Sequence, residues 1–384
     1  MSTHTSSTRT LPETFLKLSA DVSSFYGFKH ARDVERALPY VDRIRKAHTF
    51  ASVANMCVAL EKPVLEPTLV YYATPFPSHV PETLPHNDAG EFGLFISGAS
   101  ESLGEILLIK VLVAILSERG NKVVRVRLNA LGDRESQQRF ARELSLFMRK
   151  NASLLTPEEL AATGEQVITA FRCASLRNAE LGADAPRSVN FLSEKSRAHF
   201  RNILEQLEAL NLPYELDHTL VHDEREQRVL FAVDIEESDA AVYTSMGGRY
   251  DDFVRRMTGK KDSAAVSASI FFRRKGTDRS SFMIPQQLPS AKVYFVQLGA
   301  RAKLHGLTVI DQLRAARIPT MQSFDANHLG EQLAAAQQAH VPYVLIMGQR
   351  EVLDGTIIVR SSARNTQTIM PLAQLPRFLK TIRV

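Results

Sequence analysis

At 384 residues, 44% of them apolar and 23% charged, the chain has a globular composition and is too long for one ordinary core, which excludes a disordered protein and predicts two or three domains. Its two cysteines, Cys57 and Cys173, lie far apart without metal-ligand spacing, which argues against a disulfide framework and a zinc centre, so no metal is expected. The net charge of +5 is unevenly spread: residues 291–384 carry eleven Lys/Arg against five Asp/Glu, a surplus of +6, and the rest of the chain carries −1.

Residues 1–10 are rich in Ser and Thr and lack an apolar h-region, so a loose tail rather than a signal peptide is expected. Residues 11–27 place apolar side chains at helical spacing and end at Gly27, a plausible C-cap. Residues 70–73 and 92–97 read as strands, with a Pro/His/Asn-rich loop over 75–90. Residues 101–119 predict a long, largely buried helix. Its apolar run is interrupted by Lys110 and is too short to span a bilayer, so a soluble cytoplasmic protein without membrane contact is expected. A strand over 123–130 is followed by amphipathic helices over 133–150, with Phe140, Leu144 and Phe147 on one face, and 193–210, with Phe200, Leu204 and Leu207 inward.

Strand-like segments at 228–235 and 240–245 lead into Met246-Gly247-Gly248-Arg249-Tyr250-Asp251-Asp252-Phe253, with a helix-like run over 250–257. A Gly-Gly pair there predicts a tight strand-to-helix turn. It is either plain punctuation or a place where backbone N–H groups approach an anion. Residues 276–290 break the pattern as an interdomain linker. Beyond them, strands at 293–297, 320–323 and 343–347 alternate with helices at 304–316 and 329–339, predicting a small parallel or mixed sheet with right-handed crossovers. The basic surplus of this module suggests a polyanionic partner, nucleic acid first, against the alternative of a solvated basic surface.

With these segments in order, the chain resembles histidyl-tRNA synthetases, which are class II aminoacyl-tRNA synthetases. The likeness is carried by Leu128-Asn129-Ala130-Leu131-Gly132-Asp133-Arg134-Glu135-Ser136, by several short pieces over 183–221, by Gly247-Gly248-Arg249-Tyr250-Asp251, and by the tail. In the tail it rests on Leu313-Arg314-Ala315-Ala316 before Ile318, then residues 343–348, Gly355-Thr356 and Val359-Arg360. The fold implied is α+β: a class II synthetase-like antiparallel sheet core over 11–275 with a helical insertion at about 131–215, then the 276–290 linker. An α/β anticodon-binding-like domain over 291–384 completes it.

The same resemblance marks where the chain departs from the family's chemistry. Amino-acid activation needs an arginine on the α-phosphate, where charge builds in the transition state. Along Val70-Tyr71-Tyr72-Ala73-Thr74-Pro75-Phe76-Pro77 that position is Pro77, which has neither charge nor N–H, and His79 is the nearest substitute. The histidine-selecting segment is His222-Asp223-Glu224-Arg225-Glu226-Gln227, a run suited to a solvated loop. The adenine-stacking arginine is matched by Arg274, but Ser267 and Phe271 replace glycines that leave room for the nucleotide. The family's amine-receiving carboxylate stretch has no counterpart in 51–68.

The resemblance therefore implies a synthetase-like protein without aminoacylation activity, binding tRNA or another RNA, or a protein partner, as a homodimer. The buried-looking helix 101–119 is offered as interface. Two alternatives stay open: a divergent but active histidine–tRNA ligase, and a relative of the regulatory paralogue of ATP phosphoribosyltransferase. Degenerate nucleotide-site positions would be Gly247, Gly248, Arg249 and Arg274, and RNA contacts Arg350, Arg360 and Arg364 in or near loops and a final hairpin. No cofactor is expected, ATP with Mg²⁺ entering only on the active reading.

Overall fold

The computed structural model describes residues 11–31, 68–74, 89–120, 122–164, 166–221, 228–236, 242–258, 264–273, 291–322, 328–364 and 366–381. The tail 1–10, Pro77, His79, the segment His222 to Gln227, Arg274 and the linker 276–290 lie outside the described residues.

The first eight strands form one sheet in the order β1-β2-β3-β8-β7-β6-β4-β5. They are β1 (Lys29–His30), β2 (Thr68–Thr74), β3 (Ala89–Ser97), β4 (Val123–Ala130), β5 (Tyr214–Leu216), β6 (Val229–Ile235), β7 (Val242–Arg249) and β8 (Ala265–Arg273). All neighbours are antiparallel except the two edge pairs, β1 with β2 and β4 with β5. On one face pack α1 (Leu11–Phe25) and α2 (Leu103–Glu118). Between β4 and β6 come α3 (Arg134–Lys150), α4 (Pro157–Ala161), α5 (Val167–Arg177), α6 (Ala179–Ala183) and α7 (Glu194–Ala209). The amphipathic faces form with two positions corrected: Phe140, Leu144 and Met148 of α3 and Phe200, Ile203 and Leu207 of α7 are buried, whereas the expected Phe147 and Leu204 are half-buried beside them. Asp133 caps α3 by accepting the Ser136 N–H at 3.0 Å, and Ser193 caps α7.

A short α8 (Asp251–Thr258) follows β7. The C-terminal unit is a five-stranded sheet in the order β10-β9-β11-β12-β13. Its strands are β9 (Val293–Gln297), β10 (Thr320–Gln322), β11 (Tyr343–Met347), β12 (Thr356–Ser361) and β13 (Gln367–Pro371). Its helices are α9 (Ala300–Ala315), α10 (Leu329–Gln338), α11 (Gln349–Asp354) and α12 (Leu375–Thr381). The sheet is mixed: β10, β9 and β11 run parallel, as helix crossovers require, and β12 and β13 close it as an antiparallel hairpin.

Two expectations are corrected by packing. Residues 240–245 do not end in a Gly-Gly turn; the strand continues through Gly247 and Gly248 to Arg249, and the turn falls at Tyr250. Nor does α2 offer a subunit interface. Its apolar residues from Ile106 to Leu116 are buried inside the single chain, Val113 partly so, between the sheet, α1, α7 and α9. The C-terminal unit is seated on α1 and α2. Lys110 pairs with Asp311 at 2.6 Å, Tyr26 donates to Asp311, and Glu118 receives Arg314 and, at 2.5 Å, Arg317. Burial, and then Asp311, push the Tyr26 hydroxyl well above its ordinary pKa. Part of the C-terminal positive surplus thus docks this unit to the core.

Candidate functional site

Strand alternation divides the large sheet into two faces. On β3, Phe92, Leu94 and Ile96 join the core under α1 and α2, so Glu91, Gly93 and Phe95 point to the other side. There Glu91, 3% exposed, accepts the Tyr72 hydroxyl at 2.8 Å and the Ser269 hydroxyl at 2.6 Å. Burial pushes its carboxyl up, and the two hydroxyl bonds oppose that shift. Glu91 makes no ion pair with a described residue. Gly93 provides the space: a Cβ there would stand 1.9 Å from Tyr72 Cζ, so only glycine lets the ring lie across the strand toward Glu91.

Phe271 stands opposite Glu91 in the register, two residues after Ser269 on the same side of β8, and is 3% exposed. Ser267, also on this side, turns its hydroxyl to the Leu94 carbonyl at 3.1 Å. The face therefore holds one buried carboxylate ringed by hydroxyls and aromatic rings. It can accept hydrogen bonds or receive a cation. Its described residues place no arginine or lysine beside Glu91. Sequence reasoning missed Glu91; the available signal was a charged residue inside an otherwise apolar strand, Ala89–Ser97.

Gly247 and Gly248 lie mid-sheet, paired with Phe231 and Leu230 on one side and Ala268 and Ser267 on the other. With strands on both flanks their N–H groups belong to the ladder and are not presented to an anion. Gly247 is required by close approach: a Cβ would come within 2.5 Å of Phe231 Cζ and of the Ser267 carbonyl oxygen. We expect Gly247→Ala to destabilise by about 1–3 kcal/mol, the usual cost of overpacking, in chemical denaturation. An unchanged midpoint would refute that account.

Arg249 is 1% exposed and engages all five of its N–H donors. Nε and Nη2 fork onto Glu105 at 2.6 Å each, Nη1 reaches the Ala99 carbonyl at 2.9 Å and Asp251 at 3.2 Å, and Nη2 reaches the Glu101 carbonyl at 2.8 Å. His199 Nε2 adds a third contact to Glu105 at 2.8 Å. Burial alone would raise the Glu105 carboxyl; the Arg249 charge and its hydrogen bonds override this and hold it at about 2. With no donor left over, Arg249 serves as an internal anchor between α2 and the end of β7, which corrects its expected place among nucleotide contacts. Sequence reasoning also missed Glu105 and His199, because their partner lies far away in the chain.

The three C-terminal arginines share one unit but not one setting. Arg350 sits in the first turn of the short α11, highly exposed, with a 3.4 Å contact to Asp354 one turn on. Arg360 lies on β12 and lines a recess of about 440 Å³ together with Gln337, His340 and Ser362. Arg364 is exposed in the β12–β13 turn. Among the described residues no group of His, Cys, Asp and Glu could hold a metal ion, and no helix is long and apolar enough to cross a membrane.

Comparison with known proteins places these features. Residues 292–382 match the anticodon binding domain family. Over 322 residues the chain is 26% identical to histidine–tRNA ligase 1 of Shouchella clausii, covering 82% of this chain and 75% of that protein. It is 24% identical over 308 residues to histidine–tRNA ligase of Dehalococcoides mccartyi, covering 80% and 74%. Apo histidyl-tRNA synthetase of S. aureus superposes with a TM-score of 0.50 at 17% identity over 96% of each chain, which shows the shared fold.

Proposed function

The chain belongs to the histidyl-tRNA synthetase family of class II aminoacyl-tRNA synthetases, and from that premise we propose that it keeps the synthetase fold to bind tRNA or another RNA without aminoacylating it. The observation that carries this reading is the sheet face itself. Tyr72, Phe95 and Phe271 are buried there, and Glu91 is already satisfied by Tyr72 and Ser269. Phosphoryl chemistry on such a face depends on positioned cations. The substitution of Pro77 at the phosphate-arginine position supports the same conclusion.

RNA binding is supported by the C-terminal match and by the positions of Arg350, Arg360 and Arg364 on that unit. In fluorescence anisotropy the full-length chain is expected to bind bulk tRNA at low salt, with log K falling against log salt by roughly 0.7–0.9 per phosphate contact. Replacing the three arginines by alanine together lowers both affinity and slope. No binding at low salt, or a triple variant indistinguishable from wild type, refutes the RNA reading and favours a protein partner. A second reading, a working histidine–tRNA ligase, is favoured by the ligase relatives and by Glu91, a buried carboxylate on the sheet. Pyrophosphate exchange decides between the two.

A further inference from the structure

A cavity of about 520 Å³ opens at the Gly98 and Ala264 end of β3 and β8. Glu91 and Phe271 lie towards the opposite end, where Ala89 pairs with Arg273, so the two sites are separated along the strands by roughly 20 Å at ~3.3 Å per residue. The cavity walls come from α7, from the starts of β6 and α8, and from the segment joining β3 to α2. Lys195, His199, Arg228 and Arg255 line it beside the saturated Arg249, and Asp251 is the acidic lining residue.

What matters is which hydrogen-bonding capacity remains open. Four carboxylates close to the cationic lining are already engaged at one oxygen or both. Glu105 is held by Arg249 and His199, Asp251 by Arg249 and the Ala265 N–H, and Asp252 by Arg228 and Arg255. Asp133 accepts from Ser136 and Ser193. On the cationic side, Arg228 commits Nε and Nη2 to Asp252, while its Nη1 makes no hydrogen bond to a described residue and lies 3.8 Å from Asp251. Lys195 is exposed and forms no ion pair with a described residue. The capacity left open is therefore mainly cationic, Lys195 and Arg228 Nη1, beside the one Asp251 oxygen, Oδ2, that accepts no hydrogen bond from a described residue. The first turn of α7 borders the same space through Lys195 and Ser196, Gly132 just ahead of the α3 cap borders it too, and α2 begins close by at Leu103 without a side-chain cap, adding positive potential.

We propose that this cavity is a binding site for a small phosphorylated molecule, its phosphoryl oxygens held by Lys195 and by the Nη1 edge of Arg228, whose 3.8 Å contact to Asp251 is too long for a hydrogen bond. Donors arriving from α7 and from the start of β6 suit a tetrahedral group with several oxygens better than a planar carboxylate. The volume is that of a small-molecule site rather than of a groove for a nucleic-acid strand. Because its walls belong to both the insertion and the sheet, an occupant ties α7 to the end of β7. The site is independent of RNA binding by the C-terminal unit and of the Glu91 face.

The test is calorimetric titration of the full-length protein with inorganic phosphate and with pyrophosphate in low-salt buffer. One saturable site is expected, with pyrophosphate the tighter ligand. Lys195→Gln weakens it at least about tenfold, which corresponds to about 1.4 kcal/mol. Lys195 is exposed and forms no ion pair with a described residue, so this variant stays folded; Arg228→Gln, which also disturbs Asp252, is used only if its circular dichroism matches wild type. Absence of saturable binding at millimolar ligand overturns the proposal. So does Lys195→Gln binding as tightly as wild type. A short single-stranded RNA that displaces pyrophosphate in a Lys195-dependent manner would identify the occupant as nucleic-acid backbone and overturn it as well.

Discussion

Purified full-length protein is expected to give no histidine-dependent ATP–pyrophosphate exchange above a blank without histidine. The reaction drives a carboxylate against an α-phosphate, and the transition state concentrates negative charge on phosphoryl oxygens. Each preorganised donor removed from such a site costs roughly two to three decades in rate. Proline at position 77 cannot supply the charge, and Arg249, the buried arginine of the Gly-Gly-Arg-Tyr-Asp motif, has every N–H committed inside the protein. Phe271 adds a steric argument, because its ring is buried on the Glu91 side of β8. Opening that space in Phe271→Gly creates room without charge, so this variant should remain inactive too. Robust exchange by the wild type, abolished in Arg274→Ala, would overturn the non-catalytic reading and establish the ligase.

Arg249→Met is expected to be the most destabilising single substitution in the sheet core, by about 3–5 kcal/mol, since it leaves Glu105 charged, buried and without its main partner. Glu105→Leu in the same background should recover much of that loss, because two apolar residues leave no stranded charge. The measurement is the midpoint of chemical denaturation for both variants. If Arg249→Met falls by less than about 1 kcal/mol, the anchor account fails. The pH dependence has a definite sign. Glu105 titrates at about 2 in the folded protein against an ordinary 4.5, a depressed acid. Its contribution, about 3 kcal/mol for a shift of this size, is present above pH 4.5 and is lost as pH falls from there towards 2. This component of the acid limb should be absent from the Arg249→Met/Glu105→Leu protein.

The local elements were legible in the sequence wherever one face of a segment alone determines its conformation. The helical spacing of Phe140 and Leu144, and of Phe200 and Leu207, suffices for α3 and α7, since burying such a stripe needs only some apolar surface to meet it; that Met148 and Ile203, not Phe147 and Leu204, complete the buried stripes was decided by what packs against them. The C-terminal rhythm of β9, α9, β10, α10 and β11 was equally readable, as short apolar strands joined by amphipathic helices admit few arrangements. The short family segments, held in order along most of the chain, carried the synthetase architecture. Pairings between distant residues were not legible. Gly247 and Gly248 look like a turn by local propensity; flanking strands on both sides and the Phe231 ring make them strand residues. Glu105 reads as an ordinary acid in the first turn of a helix until Arg249, 144 positions later, forks onto it in the dry interior. The apolar length of α2 suggested an interface because sequence records how much surface must be buried, not which partner buries it; the same chain does so. The C-terminal basic surplus likewise counts charges without assigning them, and Arg314 and Arg317 are drawn to Glu118 on the core. Composition and periodicity therefore determined which segments fold and in what order, because those are short-range effects. The use of each buried charge and each apolar face was decided by tertiary contact, because desolvation and ion pairing depend on which residue arrives opposite.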